Sequence, residues 1–131
     1  MRNRYLLISA ILLSLAVCTQ TFAQSAATTS APGKMGKITQ VTDTKKVCMV
    51  TNKTSDKDLF PVKVDGKTYY GCCEMCKTAL TNDPSQRSSV DPVSKKQVDK
   101  SQAVIGASAN GDVLYFENEA NLKAYNSEAG H

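Results

Sequence analysis

The sequence predicts an α+β protein made of small hairpin–helix (ββα) units, two in tandem, with a cysteine cluster in the first. Three observations lead there. Two hairpin turns, Asp65-Gly66 and Asn110-Gly111, are each followed by a short β-prone run and then a short helical run. Four of the five cysteines, Cys48, Cys72, Cys73 and Cys76, fall in the first of these stretches. At a constant offset of 45, VDGKTYYGCCEMCKTAL lies over ANGDVLYFENEANLKAY, with Gly66 on Gly111, Tyr70 on Tyr115, Cys72 on Glu117, Cys76 on Asn121 and Leu80 on Tyr125. Cys48 then falls on Ser94 with a one-residue slip.

Residues 1–23 have the three parts of a secretory leader. Arg2 and Arg4 are the positive start, 6–17 is apolar, and Thr21-Phe22-Ala23 is a small-x-small cleavage site. The apolar run is 12 residues, short of the ~20 that a membrane span needs. A lipoprotein signal on Cys18 is the competing reading, and the bulky Val17 before it fits that poorly. The expectation is therefore an exported, periplasmic or extracytoplasmic protein without a stable membrane span. Residues 24–37, QSAATTSAPGKMGK, are small, polar and aperiodic, the composition of a flexible tether.

The first unit is expected over 38–84. A short strand over 46–50 carries Cys48, the run Phe60–Val64 alternates apolar and polar residues, Asp65-Gly66 turns the chain, and 67–70 pairs back. A helix over 73–80 is stopped by Asn82, Asp83 and Pro84. The second unit is expected over 85–127, with a strand at 113–116 and a helix through Tyr125. Its counterparts of the cysteines, Ser94, Glu117 and Asn121, are not soft donors, so packing alone is expected to hold it.

Without its leader the chain carries 14 basic and 12 acidic residues, a net +2, too mild and too evenly spread to argue for nucleic acid. No internal histidine stands ready as a base for a cysteine nucleophile, since His131 is the last residue. Phosphate-cradling and dinucleotide motifs are absent from the sequence. These features point to a binding protein, not an enzyme.

Thiolates are soft, strong ligands for zinc and copper(I). On a helix, Cys72 and Cys76 stand at i and i+4, one face near a positive N-terminus that favours thiolate. Cys48 closes over them as a third ligand. The fourth position is open to Cys73, Met49, Met75, water or a partner protein. Four thiols with two nearby thioethers tilt the choice toward copper(I), with zinc as the other candidate. The same four sulfurs in an exported protein can instead form two disulfides.

The pattern C-x23-C-x3-C, with Tyr69-Tyr70 before the second cysteine, resembles the TRASH and YHS group of small heavy-metal-binding domains. The half DPVSKKQVDKSQA…GDVLYFENEANLKAY resembles a YHS domain whose cysteines have been replaced. The resemblance covers residues 46–126. It implies a treble-clef-like knuckle, roles in heavy-metal trafficking, resistance or sensing, and Cys48, Cys72 and Cys76 as ligands. The gap after Cys48 is longer than the family's usual one, and Cys73 is an extra thiol. The function expected is a metal carrier or metallochaperone, exchanging copper(I) or zinc with a donor or acceptor protein. The alternative is a disulfide-stabilised or structural-zinc adaptor domain without metal transfer.

Overall fold

A computed structural model describes residues 35–130, which belong to one compact unit. The expected leader, Cys18, all but the end of the expected tether, and His131 lie outside the described residues. The fold is a mixed α+β arrangement of small antiparallel sheets and two helices.

The strand β1 (Thr39–Val41) leads into a short 3-10 turn and then β2 (Val47–Cys48), which pairs with β3 (Lys53–Thr54). Only Val47 and Cys48 of the strand expected at 46–50 are extended, because Met49 begins a turn that Asn52 closes at φ 54. β4 (Phe60–Val64) and β5 (Lys67–Gly71) form the expected hairpin. Its tip has both Asp65 (φ 50) and Gly66 (φ 75) in the left-handed region, as a tight turn matched to strand twist requires. α1 (Glu74–Asn82) follows and stops at Asp83, whose carboxylate accepts from Ser85 N at 2.9 Å ahead of Pro84 in the next turn.

In the second half, β6 (Ser88–Val90) pairs with β7 (Gln97–Asp99), and β8 (Val104–Ala107) with β9 (Val113–Phe116). α2 (Glu119–Glu128) runs a turn beyond Tyr125. β1 adds to the edge of β8, giving the sheet order β1-β8-β9. Residues 38–41, assigned by sequence to the cysteine unit, therefore pair with the second half. Ile38 reinforces this: its N–H and carbonyl bond the two ends of the Asn126 amide at 2.8 and 2.9 Å.

The main core lies between the halves. Val47, Met49, Val62, Tyr69 and Leu80 pack with Ile105, Val113 and Tyr115. A smaller cluster of Ile38, Phe116 and Leu122 sits under α2, and Phe116 meets Tyr125 edge-on with centroids 5.8 Å apart. Polar links cross as well. Thr54 N donates to Gly111 O at 2.9 Å and Val113 N to Asn52 O at 3.0 Å, so the loop after Cys48 is tied to β9. Asp99 accepts from Lys67 Nζ (2.7 Å), the Tyr69 hydroxyl (3.1 Å) and Ser101. These bonds outweigh the upward push of burial and bring its carboxyl down to about 2.

Candidate metal centre

Three local features bring the cysteines together. Cys48 ends β2 where the chain folds over residues 49–52, and Asn52 N closes that loop onto Cys48 O at 2.8 Å. Cys72 is the first residue after β5. Cys73, extended at φ −156, ψ 172, is the N-cap of α1 and leaves Cys76 in the first helical turn. Cys72 thus lies outside the helix, and the i, i+4 geometry expected from sequence does not apply to it. The extended cap residue makes the turn that faces the two sulfurs. Gly71 lets hairpin and helix approach this closely: a Cβ there would stand 2.9 Å from Cys76 Cβ.

The sulfurs of Cys48, Cys72 and Cys76 all lie within 4.8 Å of one another. Cys76 Sγ is 3.8 Å from Cys48 Sγ and 3.6 Å from Cys72 Sγ. Sulfurs bound to a tetrahedral zinc at ~2.3 Å stand ~3.8 Å apart, so the two edges at Cys76 match those of a thiolate metal site. The four cysteines among the described residues are free thiols, far from the ~2.05 Å of a disulfide. Cys73 Sγ reaches Cys76 Sγ at 3.5 Å but is not one of the mutually close three. The two thioethers part company. Met49 is wholly buried in the main core, whereas Met75 is 82 % exposed on α1. Cys48 and Cys76 are buried; Cys72 and Cys73 are exposed. The trio can therefore hold a soft metal ion, with one edge open to solvent.

The thiols differ in acidity. Burial pushes Cys48 up, but hydrogen bonds from the Thr51 hydroxyl and the N–H groups of Thr51, Val50 and Cys72 outweigh it and bring it to about 7. Cys76 is pushed up to about 12 by burial and by its three sulfur neighbours. Cys72 is also raised, chiefly by Cys48, while the Cys76 N–H at the open end of α1 holds Cys73 below its usual value. One thiolate forms readily, and packing further negative charge beside it needs a cation.

No family model, curated protein or solved structure matches the chain. The site is therefore read from its own geometry.

Two residues that matter here were missed in the sequence. The first is Asp91, which is fully buried. Like Cys48 it opens a loop closed four residues on by a residue in the left-handed region: Lys95 (φ 60) donates to Asp91 O at 2.9 Å. Its Oδ1 accepts from Val93 N (2.7 Å) and Ser94 N (3.1 Å), and its Oδ2 from Glu117 N (2.7 Å) and Asn121 Nδ2 (2.7 Å). Burial pushes the carboxyl up, yet these bonds hold it below the usual carboxylate range. Glu117 and Asn121 are the counterparts of Cys72 and Cys76, and Asn118, the N-cap of α2 at φ −159, ψ 171, repeats the backbone of Cys73. Asp91, not Ser94, therefore stands where Cys48 stands, and a carboxylate rather than packing alone pins this half together. An Asp accepting from the N–H groups two and three residues on is a signal that Asp91-Pro92-Val93-Ser94 carried. The second missed residue is Lys100, buried against the Cys48 loop.

Proposed function

We propose that the protein is an exported carrier or metallochaperone for a soft metal ion, copper(I) or zinc, and not an enzyme. The observation that carries this reading is the Cys48–Cys72–Cys76 trio, three free sulfurs at metal-ligand spacing with Cys72 on the exposed side. A structural site is usually closed by four protein ligands; here three sulfurs converge and the open edge carries exposed Cys72 and Cys73. That edge is where a donor or acceptor protein with its own soft ligand meets the ion. Cys73 is the candidate fourth ligand when no partner is present. The resemblance to TRASH and YHS domains supports the same three ligands. It also supports reading the molecule as two treble-clef-like units in tandem, the second without metal. Export rests on the leader-like residues 1–23; among the described residues no helix is long and apolar enough to cross a membrane.

The test is metal content and thiol count of the native protein, measured together, followed by competition against chromophoric copper(I) and zinc chelators. The carrier reading expects reduced thiols, bound metal, and transfer to a competing thiol ligand. A metal-free protein lighter by about four hydrogens would establish the disulfide alternative. Tight zinc that no thiol ligand removes would establish the structural one. Cys73→Ser then assigns the fourth ligand: a small loss of affinity leaves the position to water or a partner, and a large one gives it to Cys73.

A further inference from the structure

We propose that Lys100 is the counter-charge of the metal–thiolate centre and fixes the loop that presents Cys48, favouring copper(I) more than zinc. This rests on the metal-binding reading above. Lys100 comes from the half without cysteines, yet its side chain is 4 % exposed and ends at the cysteine loop. Nζ donates to Met49 O at 2.6 Å and to Asn52 Oδ1 at 3.0 Å, so one ammonium grips the first and last residues of the turn that follows Cys48. The Tyr115 ring lies beneath it, with Nζ 5.2 Å from the centroid.

A buried ammonium ordinarily has a carboxylate beside it, because an unpaired charge in the interior is costly. Lys100 is in none of the pairs Lys53–Asp112, Lys67–Asp99, Lys77–Glu74 and Lys96–Glu117. Both of its hydrogen-bond acceptors are neutral. The group it grips first, Met49 O, belongs to the residue next to Cys48, whose sulfur is one of the trio. The Tyr115 hydroxyl is buried and has no hydrogen-bond partner among the described residues. A buried positive charge thus stands behind the loop that presents Cys48.

The charge balance says what anion a metal-loaded trio would present to this charge. Three thiolates around zinc(II) leave one net negative charge; around copper(I) they leave two. A fixed positive charge stabilises both and the second more. Removing it should therefore weaken copper(I) binding further than zinc binding.

The experiment compares full-length wild type, Lys100→Met, Lys100→Gln and Lys100→Arg, first metal-free by far-UV circular dichroism and melting, then by chelator competition with copper(I) and with zinc. Met and Gln should lower zinc affinity about tenfold and copper(I) affinity by clearly more, with Arg restoring part of both. Equal losses for the two ions, or none in a folded variant, would overturn the proposal and leave Lys100 a packing residue. Wild type supplies an arm free of mutation: zinc loading should shift the Lys100 15Nζ resonance and slow exchange of its protons. An unmoved resonance overturns the proposal even if every variant fails to fold. Wild type that binds neither ion sinks the metal reading itself, a separate outcome.

Discussion

The two halves of this molecule pin the same three chain points, a loop start, a strand end and the first turn of a helix, by opposite means. In the first half Cys48, Cys72 and Cys76 bring three sulfurs to within 4.8 Å, each capable of negative charge and none neutralised by another. In the second, Asp91 supplies one carboxylate and the chain supplies four donors to it. The carboxylate centre is complete and sealed. The sulfur centre is spaced to hold a cation. The lesson is that the second half satisfies its buried carboxylate with its own donors, whereas the first holds three sulfurs close enough for a metal ion.

The largest expected effect breaks that comparison directly. Asp91→Ala strands four buried or half-buried donors and should cost about 3–5 kcal/mol, read as a large fall in melting temperature unaffected by chelators. Cys76→Ser should do the reverse, removing metal binding while the metal-free protein melts close to wild type. If Cys76→Ser also collapsed the metal-free fold, the division between the halves would be wrong. A second test sharpens it. Asp91→Cys, Glu117→Cys and Asn121→Cys together rebuild a sulfur trio on the second half, and metal stoichiometry should rise by about one ion per chain.

Smaller effects follow from the approach of β5 to α1. Gly71→Ala brings a methyl 2.9 Å from Cys76 Cβ, so hairpin and helix must part. A stability loss of about 1–3 kcal/mol is expected, with weaker metal binding, whereas Gly66→Ala, with open space around it, should leave the metal untouched. The smallest effect is in the proton count. Binding needs thiolates, so affinity must rise with pH. Above the value of about 7 for Cys48, its proton is already gone and about two should be released per ion; below it, about three. Calorimetry of zinc binding at pH 6 and pH 8 in buffers of different ionisation enthalpy measures the difference.

Acid separates the halves again. The carboxyls of Asp91 and Asp99 are both depressed in the folded state. The stability they contribute is full above the ordinary aspartate value of about 4 and is lost as pH falls through their folded values, for Asp99 about 2.

Much of this fold was legible locally. Asp65-Gly66 and the Gly111 of Asn110-Gly111 announced their turns because few residues accept positive φ, and Asn82-Asp83-Pro84 announced the end of α1. The sulfur trio was legible from residue type and spacing, although the route to it was not: the extended backbone of Cys73 places Cys72 before the helix. The pairing of β1 with β8 was invisible because nothing in the local pattern of 39–41 names a partner as remote in sequence as 105–107. Asp91 escaped notice because the sequence register is not the structural one. At the offset of 45, Thr68 matches Val113, yet four residues separate Lys63 from Thr68 and five separate Ala107 from Val113, so an alignment fixed on the helices does not carry back to the loops of Cys48 and Asp91.

The way the chain enters the fold has a mechanical consequence. Met35 and Ile38 are fastened to Tyr125 and Asn126 of α2, and β1 lies along β8. Tension applied through the preceding residues would load that strand pair in shear and the Asn126 amide, rather than the thiol loop.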